Sequence, residues 1–309
     1  MLIRQAAFDA PGRFLKGNLH CHTTRSDGSG TPEMVIRVFE SAGFDFLALT
    51  DHRIYNYQNF APGSDLLILP AMELDANIPD PGVHCVHIVS VGPETGNGFS
   101  QDQVFPSLQI SHTGEAQALI DQVTAAGNLP ILCHPEWSGT GVSEIEEMHG
   151  FSLMEIWNSG CVGDDGLDSH AAYWDELLCH GRRVYGVATD DGHAVCQHGL
   201  GFIRVKAEKN VPAILQALKA GAFYASCGPE IYDFYVEDGV ANVICSPVSR
   251  IRFRHFRVPY REISGADMRA GQIKVRPGSS YIRAEVVDAQ GRQAWTNPIF
   301  LDEGRWRDD

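Results

Sequence analysis

Two histidines and an aspartate lie close together near the start of the chain, in the stretch His20-Cys21-His22 and, a few residues later, Asp27. In an extended segment the side chains alternate between two faces, so His20 and His22 point one way and Cys21 the other. Two imidazoles on one face can bind one metal ion. The alternative is an inert pair of buried, hydrogen-bonded histidines, and the short motif alone does not decide between the two.

Further imidazoles and carboxylates follow apolar runs later in the chain, where each run predicts a short strand. These groups are His52, Glu73, His134, Asp191 and His193, with His87, or in its place His84, on another run. Buried polar groups cost free energy unless they are paired, so packing alone does not account for the series. Because parallel strands bring their carboxyl ends to one edge, the series predicts a multinuclear metal site.

The ligand types indicate both the metal and the chemistry. Imidazoles mixed with carboxylates, without clustered thiolates, suit Zn, Mn or Fe. A carboxylate such as Glu73 has two oxygens and can bridge two ions. Two adjacent ions lower the pKa of a shared water and stabilise the entering and leaving oxygens of a displacement, so we expect hydrolysis.

Alternating strands and helices must position these groups. Residues 31–43 predict a helix, with Thr31 as N-cap, Pro32 in the first turn and Gly43 at its end. Further helices are expected over residues 115–126, 167–180 and 211–220, and a buried strand over 151–158. This alternation is typical of a parallel α/β sheet or barrel, whose sites form at the carboxyl edge.

The pattern changes after Cys227-Gly228-Pro229, where short alternating runs and turns replace the helices. We therefore predict two domains. Residues 1–228 form a parallel α/β sheet or barrel that carries the metal site, and residues 229–309 form a smaller all-β domain resembling a β-sandwich.

Composition narrows the class of protein. The chain has 309 residues, is 44% hydrophobic, and carries 39 acidic against 24 basic residues, for a formal net charge of −15. Such a charge argues against a face that binds duplex nucleic acid. The sequence has neither a signal-peptide pattern nor a long apolar run, so a cytoplasmic protein without membrane contact is expected. Eight scattered cysteines favour reduced thiols, and Cys21, Cys85 and Cys133 are interpreted as core residues.

The motifs together resemble those of PHP (polymerase and histidinol phosphatase) domain metal-dependent hydrolases. The matching segments span residues 17–193 and are, in order, Asn18-Leu19-His20-Cys21-His22, Ser26-Asp27-Gly28, Leu49-Thr50-Asp51-His52, Met72-Glu73, Cys133-His134-Pro135 and Thr189-Asp190-Asp191-Gly192-His193. The resemblance implies a distorted seven-stranded β/α barrel, a trinuclear metal centre and phosphoester hydrolysis.

The resemblance also implies an assignment of ligands to ions. One ion would be held by His20, His22, Glu73 and Asp191; Glu73 would bridge to a second, held by His87 and His134; and Asp27, His52 and His193 would hold a third. His84 competes with His87, and relatives place either His or Asp at the position of Asp27. Two to three divalent ions are therefore expected.

Other residues near the motifs could assist the reaction. His198 is the candidate acid that protonates the leaving oxygen, against the alternative of a surface histidine, and Arg53 or Arg25 could contact a phosphate unless they are merely solvated. Asp51 and Asp190 could orient ligands or cap the turns that follow them. Histidines away from the strand ends are interpreted as non-ligands: His112, His149, His170, His180 and His255.

These observations predict a phosphoesterase that hydrolyses a small-molecule phosphate ester with metal-activated water. An alternative is a carbamate, amide or carboxylic ester hydrolase of the same fold, because the C-terminal region with Trp295-Thr296-Asn297-Pro298 resembles that of PHP proteins related to carbaryl hydrolases. A non-catalytic metal-binding regulatory module is a third alternative. The sequence does not predict the oligomeric state.

Overall fold

The computed structural model describes residues 4–79, 84–92, 99–169, 171–256 and 259–301, which form a mixed α/β fold with two sheets and few helices. The strands are β1 Arg4–Ala6, β2 Arg13–Asn18, β3 Phe46–Ala48, β4 Leu67–Leu69, β5 Ala71–Asn77, β6 Cys85–Val91, β7 Leu108–Gln109, β8 Leu129–Leu132, β9 Leu153–Asn158, β10 Tyr185–Thr189, β11 Phe202–Ala207, β12 Phe223–Ser226, β13 Ile231–Glu237, β14 Val240–Arg254, β15 Pro259–Lys274, β16 Tyr281–Val287, β17 Gln293–Thr296 and β18 Ile299–Phe300. The helices are α1 Pro32–Ser41, α2 Gln117–Ala125, α3 Val142–Ile145, α4 Ser159–Asp164, α5 Ala172–Cys179 and α6 Val211–Ala220.

The strands form two sheets. The larger has the order β1-β13-β14-β16-β17-β12-β11-β2-β3-β4, with β15 beside β14 and β18 beside β16. The smaller has the order β10-β9-β8-β6-β5-β7. The C-terminal strands thus continue the sheet that contains β2 and β11, through the pairing of β12 with β17.

Strand direction near the predicted site is mixed. Strands β2, β3 and β4 pair in parallel, as do β8, β9 and β10, which agrees with the expected α/β pattern. Strand β6, however, is antiparallel to both β5 and β8. Isolated parallel bridges join the two sheets at Cys21–Gly192 and at His52–Glu73.

Helix ends follow the predicted local signals. Thr31 caps α1 by accepting a hydrogen bond from the Met34 backbone N at 3.3 Å, and α6 ends at Gly221 with φ of 70°. The helix expected over 167–180 is shorter, because α5 begins only at Ala172 and a separate short helix, α4, precedes it.

Among the described residues, three clusters of buried apolar side chains stabilise the molecule. The largest includes Tyr55 and Trp174 and lies against both sheets; the second, with Phe234 and Phe253, belongs mainly to the C-terminal strands; the third packs α1 through Phe39. Within the described ranges, no helix has the length and apolar character needed to cross a membrane.

A buried ion pair connects α5 with β16. The guanidinium of Arg283 is fully buried and donates to Asp175 Oδ1 from Nε at 2.9 Å and from Nη2 at 2.6 Å. Its Nη1 lies 2.9 Å from Glu285 Oε1. Because a buried charge without a partner is costly, this contact ties the C-terminal strands to the helical layer.

Candidate metal centre

Glu73 lies at the centre of the predicted ligand set. It is on β5, its side chain is fully buried, and five imidazoles surround its two oxygens. Around Oε1 are His87 Nδ1 at 2.9 Å, His20 Nε2 at 3.2 Å and His134 Nε2 at 3.4 Å; around Oε2 are His52 Nδ1 at 2.9 Å and His22 Nε2 at 3.3 Å.

The antiparallel course of β6 explains why His87 joins this group. His87 lies near the start of β6 and pairs with Asp75 of β5, so the reversed strand brings its beginning to the edge where parallel strands end. His84 points elsewhere, with Nε2 at 3.2 Å from Thr113 Oγ1 and 3.4 Å from Glu144 Oε1. The structure therefore places His87, and not His84, beside Glu73.

Asp191 brings the end of β10 to the same group. Its Oδ1 lies 3.0 Å from His22 Nε2 and 3.2 Å from His20 Nε2, and its Oδ2 lies 3.8 Å from His134 Nε2. Asp191 and His134 adopt left-handed backbone conformations, with φ of 48° and 25°. Such residues cost on the order of 1–3 kcal/mol each and concentrate at functional sites.

A second, more open group surrounds Asp27. Its Oδ1 lies 3.5 Å from His193 Nε2 and its Oδ2 lies 3.5 Å from His52 Nε2, while His22 Nδ1 lies 3.7 Å from Oδ1. The side chains of Asp27 and His193 are 55% and 41% exposed, whereas those of Glu73 and His20 are buried. This end of the cluster is open to solvent.

Opposite charges shift the pKa values throughout the cluster. Burial acts to lower the pKa of His22, but the carboxylates of Asp191 and Glu73 outweigh burial and raise it to about 9. Burial acts to raise the pKa of Glu73, and the imidazoles of His20, His52 and His87 hold it well below its usual range. The carboxylates therefore remain ionised at neutral pH, as metal ligands must.

Several atoms of the cluster are buried without a hydrogen bond. Over the described residues, His52 Nδ1 and Glu73 Oε2 have no hydrogen-bond partner although they are 2.9 Å apart. The Nε2 atoms of His20 and His22 face each other at 3.2 Å. Ligand atoms of several triads and one tetrad lie within 4.8 Å of one another. Buried groups of this kind imply divalent metal ions, and the imidazole and carboxylate donors suit such ions.

A cavity of about 310 Å³ opens onto the cluster. It is lined by Asp27, His52, Glu73, His87, His134, Trp137, Gly160, Cys161, Asp164, Asp165, Asp191 and His193. Trp137 is half-buried at its wall, with its ring centroid 5.0 Å from that of His134. Its indole N–H donates to Asp165 at 3.1 Å and its backbone N–H to Asp168 at 2.8 Å, so the ring is held in place.

Three other candidates do not line this cavity. His198 is 7% exposed, lies with its ring centroid 5.3 Å from that of Phe39, and is therefore not a surface histidine. Arg53 pairs with Asp75, and Arg25 pairs with Asp102. The structure thus brings neither the proposed acid nor either arginine into contact with the cavity.

Asp51 and Asp190 bind backbone rather than ligand imidazoles. Asp51 Oδ1 accepts from the Thr23 backbone N at 2.7 Å, and Asp190 Oδ1 accepts from the Gly201 backbone N at 2.7 Å. Among the described contacts, neither side chain caps the turn directly after it: Asp190 also accepts from the Gly199 and Leu200 backbone N–H groups, and Asp51 from the hydroxyls of Thr23 and Ser26. The other histidines interpreted as non-ligands lie outside the cluster, except that His170 falls outside the described residues. Cys21, Cys85 and Cys133 are buried, as expected.

Glu155 is a site residue that the motifs did not reveal. It is fully buried on β9, and its Oε1 lies 2.8 Å from His20 Nδ1. Burial acts to raise the pKa of Glu155, but the charge of His20 and its hydrogen bond outweigh burial and lower the pKa below its usual value. The sequence does contain one indication of this role, a carboxylate within the apolar run Leu153-Met154-Glu155-Ile156-Trp157. A carboxylate on a buried strand must be paired with a donor or a cation.

Comparisons with known proteins return structural neighbours only. The sequence matches no protein-family model, and no curated protein matches it. A two-domain protein from Bacteroides vulgatus, described as containing a predicted PHP-like metal-dependent phosphoesterase, is 15% identical, with 95% of this chain and 98% of that chain covered and a TM-score of 0.48. An amidohydrolase from Chromobacterium violaceum is 17% identical over 58% of this chain and 87% of that chain, with a TM-score of 0.39. The printed description of the first neighbour names the PHP family, which the motifs of this chain also resemble.

One neighbour corrects the expectation about partners. The lesion-specific endonuclease PfuEndoQ from Pyrococcus furiosus is 13% identical over 63% of this chain and 53% of that chain, with a TM-score of 0.42. An endonuclease acts on nucleic acid, so the expectation of a small-molecule substrate, with duplex nucleic acid excluded, is wrong as an exclusion. Net charge describes the whole surface, whereas bound divalent ions reverse the charge inside one cavity.

Proposed function

We propose that the protein is a metal-dependent phosphoesterase of the PHP type that hydrolyses a phosphate ester with metal-activated water. The observation that carries the proposal is the convergence of imidazoles and carboxylates on Glu73, whose Oε2 is buried without a hydrogen bond in the described part of the chain. A hydrolytic metal centre gives these groups the partner that the protein itself does not supply.

The ligands divide among two to three ions of Zn, Mn or Fe. His20, His22, Glu73 and Asp191 would hold one ion, Glu73 with His87 and His134 a second, and Asp27 with His52 and His193 a third. The two oxygens of Glu73 face different imidazoles, which supports its role as the bridging ligand. The exposed position of Asp27 supports weaker binding at the third position.

The ions, when bound, would lower the pKa of water and neutralise charge on the ester oxygens. The chain's own residues supply the fixed geometry. Glu73, His87 and His134 line the cavity, with buried His20 and His22 behind Glu73, and Trp137 forms an apolar wall beside His134. The aspartates and His193 at the open end leave a path for the substrate.

We also infer the finer architecture. A distorted seven-stranded β/α barrel of β2, β3, β5, β6, β8, β9 and β10 is supported by the bridges Cys21–Gly192 and His52–Glu73, which connect the two sheets at both ends of this series. Residues 1–228 would form this metallohydrolase barrel and residues 229–309 the all-β domain. The apolar cluster around Phe234 and Phe253 supports a C-terminal unit with its own core.

A second candidate reaction is hydrolysis of a carbamate, amide or carboxylic ester at the same centre. One observation favours it: among the described residues that line the cavity there is no arginine or lysine. A phosphate dianion would then depend on the metal ions alone for charge neutralisation, whereas a neutral ester requires less neutralisation of charge.

The experiment that tests the proposal is a substrate panel. Protein loaded with Zn, Mn or Fe is assayed with an aryl phosphate monoester, an aryl phosphodiester, a short oligonucleotide and an aryl carbamate. We expect turnover of at least one phosphate ester that is lost in His20→Ala and retained in His112→Ala, since His112 is exposed and outside the cluster. Carbamate cleavage without phosphate ester cleavage would establish the second candidate, and metal binding without any turnover would indicate a regulatory module.

A further inference from the structure

We propose that Glu155 is a positioning residue that orients three ligands and thereby sets the metal affinity of the site, without binding metal itself. The inference rests on the proposed metal-dependent function and concerns the residues behind the ligands. Its basis is the hydrogen-bond arrangement around one fully buried carboxylate.

The acceptor capacity of Glu155 is already used. Oε1 accepts from His20 Nδ1 at 2.8 Å and from Thr189 Oγ1 at 2.6 Å. Oε2 accepts from the His134 backbone N at 2.8 Å and from Asn158 Nδ2 at 2.9 Å. An ionised carboxylate has about four lone-pair sites, so these hydrogen bonds leave no site for an ion.

The contact with His20 determines which imidazole nitrogen faces the cavity. With Nδ1–H donating to Glu155, the lone pair lies on Nε2, which is 3.2 Å from both Glu73 Oε1 and Asp191 Oδ1. Carboxylates commonly fix the tautomer and ring orientation of metal-ligating histidines in this way. In its absence, the fully buried His20 would have no acceptor for Nδ1–H among its described contacts.

The same carboxylate reaches two further ligands. The His134 backbone N–H donates to Oε2, which supports the left-handed conformation of His134 at φ of 25°. Asn158 Nδ2 donates to Glu155 Oε2 and lies 3.1 Å from Asp191 Oδ2, so one amide links Glu155 to Asp191. A single residue of β9 thus connects ligands that come from three separate segments.

A competing interpretation is a further metal site made of His20, Cys133 and Glu155, whose ligand atoms lie close together. Burial raises the pKa of the Cys133 thiol well above its usual value, and its Sγ donates to the Ile131 carbonyl at 3.5 Å. The thiol is already engaged with that carbonyl, and the four hydrogen bonds to Glu155 leave it no free acceptor site. We therefore assign the group to support of the metal centre.

The test compares Glu155→Gln with Glu147→Gln, an exposed glutamate outside the site. Metal affinity is measured by calorimetry with Zn and Mn, and the His20 tautomer by nitrogen-15 NMR of the imidazole in the metal-free protein. We expect the Glu155→Gln variant to bind metal roughly 10- to 100-fold more weakly and to show changed His20 nitrogen chemical shifts. The reason is that the glutamine NH₂ group would face one of the N–H or O–H groups that now donate to Glu155. Glu147→Gln should match the wild type.

Two outcomes separate the failure of this inference from the failure of the proposed function. Wild-type protein that binds no metal would overturn both. Wild-type protein that binds metal, with a folded Glu155→Gln variant of equal affinity and unchanged His20 shifts, would overturn the role of Glu155 alone. Should Glu155→Gln fail to fold, Thr189→Val removes one donor and keeps the carboxylate; equal metal affinity in that variant would then contradict the inference, and a several-fold loss would support it.

Discussion

The Nε2 atoms of His20 and His22 lie 3.2 Å apart, and each is within 3.3 Å of a Glu73 oxygen. On their far sides, His20 Nδ1 contacts Glu155 at 2.8 Å and His22 Nδ1 lies 3.3 Å from Ser26 Oγ. The two inward nitrogens therefore meet beside one buried carboxylate. A divalent cation bound at this cluster would take both nitrogens as ligands, as the proposed assignment requires.

Metal removal should lower the stability of the folded protein. A ligand that binds only the native state adds about 4 kcal/mol when its concentration is a thousand times its Kd. Chelation should therefore shift the urea midpoint downward, and readdition of Zn or Mn should restore it. Identical unfolding curves with and without chelator would contradict metal binding at this cluster.

Replacement of Trp137 should change substrate preference more than metal binding. The indole forms a wall of the cavity and does not ligate metal in the proposed assignment. We expect Trp137→Ala to raise KM for an aryl ester more than for an alkyl ester, with Trp137→Phe intermediate, because stacking against a flat group is lost. Equal effects on both esters would argue that the wall does not contact the leaving group.

His198 should make the protein sensitive to acid. Burial lowers its pKa from 6.5 to about 4, and neither ring nitrogen has a hydrogen-bond partner among the described residues. The unfolded chain therefore binds more protons than the native state between these pH values, so stability falls as the pH drops from 6.5 to 4. The loss attributable to His198 is about 3 kcal/mol.

The measurement for His198 is urea unfolding of chelator-treated wild type and His198→Asn across this pH range. The wild type should lose more stability than the variant on acidification. Parallel losses in the two proteins would show that His198 titrates normally in the native state.

Separation of the Arg283–Asp175 pair should destabilise the protein strongly. Arg283→Met leaves Asp175 buried without its main partner, which typically costs about 3–5 kcal/mol. The double variant Arg283→Met/Asp175→Leu should recover part of this loss, because the uncompensated charge is removed. Equal stability of the single variant and the wild type, measured by urea unfolding, would contradict a structural role for the pair.

Much of the candidate cluster could be predicted from the sequence because most of its imidazoles and carboxylates follow short apolar runs, although Glu73 lies inside β5 rather than after a strand. His20, His22, Glu73, His134 and Asp191 lie together as their motifs indicate. The choice between His84 and His87 could not be made in advance, since it depends on the antiparallel course of β6. Strand direction arises from tertiary pairing and leaves little trace in a short apolar run.

Other features lie beyond what local pattern can indicate. Glu155 has no motif of its own and becomes meaningful only when β9 packs behind His20. His198 looks like an acid candidate by its position in the chain, yet α1 covers it through Phe39. The continuation of the large sheet through β12 and β17 likewise depends on long-range pairing that composition does not encode.

Metal content and phosphate ester turnover, measured together on wild type, His20→Ala and His112→Ala, test the central claim most directly. We predict that wild type and His112→Ala contain two to three divalent ions and hydrolyse a phosphate ester, whereas His20→Ala folds but loses metal and turnover together. A folded His20→Ala variant with undiminished phosphate ester turnover would contradict the account.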